Sequence, residues 1–168
     1  MRNLVIYNHG KDSIPWGEKA LAFAEVAKCQ NFEFISLDYR PCNDPDERLK
    51  QLLAMDWSTY QSIVLVGSSM GGYVITVASE HIKPKGLFLI APAFYLPGYQ
   101  RTVFKPTADY IEIFHGWQDE VVPVENVLRF CQQYDAHLHL LNADHRLLSI
   151  LPIMLEAFEH FLVHCQSE

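Results

Sequence analysis

The stretch Ser62-Ile63-Val64-Leu65-Val66-Gly67-Ser68-Ser69-Met70-Gly71-Gly72 restricts what this chain can fold into more than any other. A short run rich in Val, Ile and Leu stops at Gly67, and residues that suit a helix begin after Ser69. The stretch therefore reads as a buried strand turning sharply into a helix. A G-x-S-x-G pattern at such a turn holds the serine in a strained backbone conformation. The flanking glycines let strand and helix pass close together, so the hydroxyl stands at the carboxyl end of the strand. Ser69 is thus a candidate nucleophile, although five residues alone are also compatible with a glycine-rich turn. Ser68 adjoins it, but only Ser69 is centred between Gly67 and Gly71.

Apolar runs of strand length alternate with helical periodicity along the rest of the chain. Leu4-Val5-Ile6-Tyr7 reads as a first strand ending at Asn8-His9-Gly10. Ser13 as N-cap, Pro15 in the first turn and Ala20, Phe23, Ala24 and Ala27 at helical spacing predict a helix after it. Residues 32–37 read as a second strand, and Asp44-Pro45-Asp46-Glu47 as a helix start, with Leu49, Leu52 and Leu53 on its buried face. The helix after Ser69 runs to about His81 and is stopped by Lys83-Pro84. Residues 86–91 form a fourth strand without polar alternation, as expected where both faces are covered. A fifth strand over 111–114, a helix from about Pro123, a sixth strand over 137–141 and a closing helix marked by Leu151, Leu155, Phe158 and Leu162 complete the pattern. This alternation predicts an α/β fold with a parallel sheet covered by helices on both faces. In such open sheets ligands bind at the carboxyl ends of the strands.

The residues after the strands are therefore the ones to examine for chemistry. Ser69 follows the third strand, His115-Gly116-Trp117-Gln118-Asp119-Glu120-Val121-Val122-Pro123 the fifth, and Asn142-Ala143-Asp144-His145-Arg146 the sixth. A serine hydroxyl is a weak nucleophile unless an imidazole removes its proton, and that imidazole needs a carboxylate to orient it. Nucleophile, acid and histidine stand in the order Ser69, Asp119, His145, each after its own strand, which is the order expected of this architecture. Glu120 adjoins Asp119 and stands as the alternative acid. Asp144 is taken to shape its loop, and His9 and His115 to pack theirs. His137, His139, His160 and His164 are taken as structural or surface residues.

From His9-Gly10, through Gly67 to Gly72 and the turn from Gly116 to Pro123, to Asp144-His145, the chain resembles a small, lidless serine esterase of the α/β-hydrolase superfamily. The resemblance implies a minimal three-layer α/β/α sandwich whose six strands are all parallel, in the order 2-1-3-4-5-6, in one domain over residues 1–168. It implies Ser69 as nucleophile, Asp119 as orienting acid and His145 as general base. The oxyanion would be held by the backbone N–H of Met70 and that of Lys11, with Gly10 as the alternative donor. A lysine in that loop departs from the small or aromatic residues expected there. The implied activity is hydrolysis of carboxylic esters of small or medium acyl groups through an acyl-enzyme, with no cofactor and no metal. A thioesterase, an amidase, an acyltransferase or a non-catalytic binding protein could be built on the same residues. The aromatic-rich segment from Ala91 to Pro106 reads either as a surface crossover or, with Phe94 and Tyr95 and joined by Trp117, as a substrate rim.

Composition narrows the partners. The formal net charge is −7 and no Lys/Arg cluster is present, so neither nucleic acid nor an anionic membrane surface is expected to bind. No apolar run approaches the roughly 20 residues of a membrane span, and the N-terminus enters a strand without a leader pattern. The four cysteines show no ligand or disulfide spacing, which suits reduced thiols. A cytoplasmic protein acting on a small ester or thioester is the expectation; composition says nothing of oligomeric state.

Overall fold

A computed structural model describes residues 2–166. The strands are β1 (Asn3–Asn8), β2 (Glu33–Leu37), β3 (Ser62–Ser68), β4 (Gly86–Ile90), β5 (Tyr110–Gly116) and β6 (His137–Leu141). They form one sheet in the order β2-β1-β3-β4-β5-β6, and every neighbouring pair is parallel. The sheet order expected from sequence is the one observed.

Side chains on successive strand residues point to opposite faces, so each central strand feeds two cores. Leu4, Ile6, Leu65, Leu87, Leu89, Ile111 and Ile113 pack on one face. There they meet α2 (Pro45–Leu53), α3 (Met70–Ile82) and α4 (Val124–Gln133). Val5, Tyr7, Val64, Val66, Phe88, Ile90 and Phe114 pack on the other, against α1 (Glu18–Cys29) and α5 (Leu151–Cys165). All five residues of β4 are buried, as its unbroken apolar run implies, whereas the edge strands β2 and β6 are only partly covered.

Three local expectations are corrected. Helix α1 begins at Glu18 with Gly17 as N-cap, and neither Ser13 nor Pro15 opens it. The Pro15 carbonyl instead accepts from the Ser36 hydroxyl, and Trp16 packs on Phe34, so residues 11–17 lie over β2 before the helix starts. Helix α2 starts where expected, with Asp44 as N-cap accepting from Asp46 N at 2.9 Å and Pro45 at the first position, and only the part of Glu47, three residues after the cap, is corrected: it pairs with Lys50 and completes no reciprocal cap. The third concerns apolar length. Leu148–Cys165 is an 18-residue helical stretch of mean hydropathy 1.4, long and apolar enough by composition to cross a membrane, where no such run was expected. A 3₁₀ turn, Leu148–Ile150, joins α5 and extends it. Its Met154, Phe158, Phe161, Leu162 and Cys165 belong to the core under α1 and the sheet.

Candidate active site

Ser69 sits between β3 and α3 at φ 54° and ψ −113°, in the left-handed half of backbone space that non-glycine residues avoid. Its surroundings hold it there. Ser69 N donates to Ile90 O at 2.9 Å and Ala93 N donates to Ser69 O at 3.0 Å, tying the turn to the end of β4. A methyl group on Gly67 would overlap the Gly71 carbonyl, and one on Gly71 would overlap the Asn8 carbonyl oxygen. Both glycines are thus required by close backbone contact, which is what brings α3 tightly against β1 and β3.

The loops after β5 and β6 come together over this turn. Trp117 N donates to Leu141 O and Gln118 N to Ala143 O, and any side chain on Gly116 would overlap the Ala143 carbonyl. Asp119 and His145 are thereby brought within 2.7 Å, Oδ2 to Nδ1, and His145 Nε2 lies 3.1 Å from Ser69 Oγ. A carboxylate only accepts, so Nδ1 carries the imidazole proton and Nε2 offers a lone pair to the serine hydroxyl. The Asp119 side chain is fully buried and its Oδ1 accepts from Val121 N at 2.8 Å and Val122 N at 2.7 Å. Burial alone would raise its pKa, but the bonds from His145 and from these backbone N–H groups outweigh it and hold the carboxyl below its ordinary value.

His115, expected only to pack its loop, also touches the acid. Its Nε2 lies 3.0 Å from Val122 O and 3.4 Å from Asp119 Oδ2. The carbonyl can only accept, so Nε2 bears the proton, and burial pushes the ring's pKa down and keeps it neutral. Asp144 does shape its loop, accepting from Arg146 N and Leu147 N.

The loop after β1 passes directly over the serine: a methyl group on Gly10 would lie 3.5 Å from Ser69 Cβ. Arg48 of α2, only 1% exposed, holds this loop from behind. Its guanidinium donates to His9 O at 2.6 Å, Gly10 O at 3.2 Å and Cys42 O at 2.8 Å, and its plane faces the Tyr39 ring. His9 accepts from Tyr39 N at Nε2 and donates from Nδ1 to the same Gly10 carbonyl. In a trans peptide C=O and N–H point in opposite directions. With the Gly10 carbonyl held on one side, the N–H of Lys11 is turned to the other. Met70 N–H is at the first position of α3, where no intrahelical acceptor exists.

Ser69, His145, Gly10 and Lys11 line one cleft of about 480 Å³. The three aromatic residues expected to rim it do not. Phe94 is fully buried, stacked on Phe130 with ring centroids 4.2 Å apart and packed on Phe104 at 5.1 Å, because the segment after β4 turns inward over α4. Tyr95 lies under Arg129, and Trp117 stands exposed beyond the cleft. Ile14, Lys19, Arg146 and Leu148 supply the wall instead. Nothing in the sequence around Lys19 marks it out, since its neighbours read as an ordinary amphipathic helix. Among the described residues no group of His, Cys, Asp and Glu is arranged to hold a metal ion.

The sheet order and the strained serine at the end of β3 define a protein of the α/β-hydrolase superfamily by fold. A protein of Xanthomonas campestris pv. campestris assigned to the hydrolases of that superfamily superposes with a TM-score of 0.84 and 28% identity, over 96% of this chain and 99% of its own. Est1E from Butyrivibrio proteoclasticus gives 0.83 at 20% identity, over 96% and 87%. A serine hydrolase without lid from Xanthomonas campestris gives 0.77 at 18%, over 94% and 79%. By sequence, residues 4–100 match the uncharacterised protein family UPF0227, and the chain belongs to that family. No curated protein matches this sequence.

Proposed function

We propose that this protein is a serine hydrolase that cleaves carboxylic esters of small or medium acyl groups through an acyl-enzyme. The observation that carries the proposal is the hydrogen-bonded chain from Asp119 through His145 to Ser69, at 2.7 and 3.1 Å, on a serine held at φ 54°. Ser69 Oγ attacks the ester carbonyl carbon while its proton passes to His145 Nε2, and Asp119 stabilises the imidazolium. The oxyanion accepts from the N–H groups of Met70 and Lys11, and each such donor is worth about 10²–10³-fold in rate. The carbon–oxygen bond to the alcohol then breaks and the departing alkoxide takes the proton from Nε2. Water adds to the acyl-serine by the same route, giving its proton to His145, and the carboxylic acid leaves as Ser69 is restored.

Fluorophosphonate labelling with peptide mass mapping tests this on the native protein and on His145→Ala. Label on Ser69 in the native protein, lost in the variant, is the expected result. A folded native protein that takes no label would refute the proposal.

A further inference from the structure

The cleft beside Ser69 holds cations that its proposed chemistry does not use. Lys19 reaches from α1 to the seam between the turn at Ser69 and the loop of His145. Its Nζ lies 3.2 Å from Ser68 Oγ and 3.1 Å from the Arg146 carbonyl oxygen, the residues that adjoin Ser69 and His145 in sequence. An ammonium has three N–H donors. Two are taken, and the third has no acceptor among the described residues. Among the described residues no carboxylate lies within 4.0 Å of Lys19, Lys11 or Arg146; the lysines and arginines that have one are Arg2, Arg40, Lys50, Lys85 and Arg101.

A structural tie between two loops would need hydrogen bonds and no charge. Lys19 is partly buried, and its burial, with a lesser contribution from Arg146 and against the opposing pull of the Asp144 carboxylate, pushes its pKa down to about 8. Keeping an ammonium there with no carboxylate in contact is unfavourable, and an anion arriving in the cleft would relieve it. Glu18 and Asp12 line the same cleft, but Glu18 is exposed and Asp12 is tied to Asn43. The Asp144 carboxylate is engaged by its own loop. Lys11 and Arg146 are exposed at the mouth, where they add positive potential on the approach to Lys19 in a chain of net charge −7.

We propose that the substrate is an anionic ester, carrying a carboxylate or phosphate close to the scissile bond, and that the Lys19 ammonium binds that anion. This rests on the serine-hydrolase proposal for the same cleft and names its substrate class. The anion can belong to the acyl part or to the alcohol part of the ester.

The test compares kcat/KM within two isosteric pairs. Monoethyl succinate against ethyl succinamate places the charge on the acyl side, and 4-acetoxybenzoate against 4-acetoxybenzamide places it on the alcohol side. Hydrolysis is followed by pH-stat at pH 7 in the native protein, Lys19→Gln and Lys19→Arg. A charge-assisted hydrogen bond predicts a preference for the charged member of one pair of about tenfold or more. That ratio falls to near one in Lys19→Gln and is largely kept in Lys19→Arg. Because each ratio is taken within one protein, a general loss of activity in a variant cancels. Ratios near one in both pairs, or a preference unchanged by Lys19→Gln, would overturn the proposal. If fluorophosphonate fails to label Ser69, the hydrolase proposal has failed separately, and calorimetry decides the anion site. Binding of 4-acetoxybenzoate to the native protein that Lys19→Gln weakens about tenfold would uphold it. Absent or equal binding would not.

Discussion

Replacing Arg48 by methionine removes the group that holds the loop over Ser69 while keeping an apolar stem of similar reach. Of the three carbonyls the guanidinium serves, Gly10 O keeps a donor in His9 Nδ1, whereas His9 O and Cys42 O have no other among the described residues. Leaving the buried His9 carbonyl unpaired costs about 1–3 kcal/mol, and the partly buried Cys42 carbonyl costs less because water can reach it. Removing a buried cation returns part of this, since its own desolvation no longer has to be met. The net loss should be about 1–3 kcal/mol, measured as a lower urea midpoint at unchanged m-value. The effect on rate is separable. Loss of a full oxyanion donor costs about 10²–10³-fold in kcat. With His9 still holding the Gly10 carbonyl, kcat on the folded protein should fall by roughly tenfold, with little change in KM, as expected when an interaction made only in the transition state weakens. Arg48→Lys keeps the charge but lacks the forked geometry and should fall between the two. A folded Arg48→Met protein with native midpoint and native kcat would refute the inference that this guanidinium orients the Lys11 N–H.

Asp119→Asn should leave the fold intact and lower kcat by about 10³–10⁴-fold, because an amide can stabilise the wrong imidazole tautomer; pre-steady-state ester hydrolysis on the folded variant measures it. The Asp119 carboxyl titrates below its ordinary value in the folded protein, so its contribution to stability is present above about pH 3.9 and is lost as pH falls through the lower, folded value. Acid unfolding of Asp119→Asn should therefore be shallower than that of the native protein over that range. Where Lys19 binds the substrate anion, only its protonated form does so, and kcat/KM for the preferred anionic ester should decline as pH rises through about 8 while that for the neutral amide analogue does not; parallel pH profiles for the two would contradict it. Phe94→Ala removes a core ring stacked on Phe130 and should destabilise by about 3–5 kcal/mol with activity per folded molecule nearly unchanged. A selective loss of activity at native stability would return Phe94 to the substrate rim.

The features legible in the sequence are those set within a few residues. The strand-to-helix turn at Ser69 is legible because three glycines and a short apolar run leave the backbone few alternatives. Alternating runs of strand and helix length sufficed for a parallel sheet, since parallel neighbours need crossovers. The positions of Asp119 and His145 after their own strands follow from that sheet, as the carboxyl ends of all its strands lie on one edge. Helix α1 shows the limit of local signals. A serine and a proline resemble a helix start, yet the chain there is held by Ser36, across the edge of the sheet.

Side chains whose roles depend on residues far away in sequence were not legible. Arg48 looks like a surface residue of an amphipathic helix, but its three acceptors come from two loops, one of them 38 to 39 residues away. Lys19 has partners 49 and 127 residues distant, and the neighbours that bury Phe94 come from α4 and the loop after β4. Composition and periodicity report whether a residue tends to be buried, not what it meets there. By itself the sequence determined a parallel sheet and the three residues that follow its strands at the carboxyl edge, because these follow from backbone propensity and chain connectivity, while the strand order came from the resemblance to the α/β-hydrolase superfamily. Only the tertiary structure decided which loop carbonyls a buried guanidinium holds and which ammonium lines the cleft, because packing brings distant side chains within hydrogen-bonding distance.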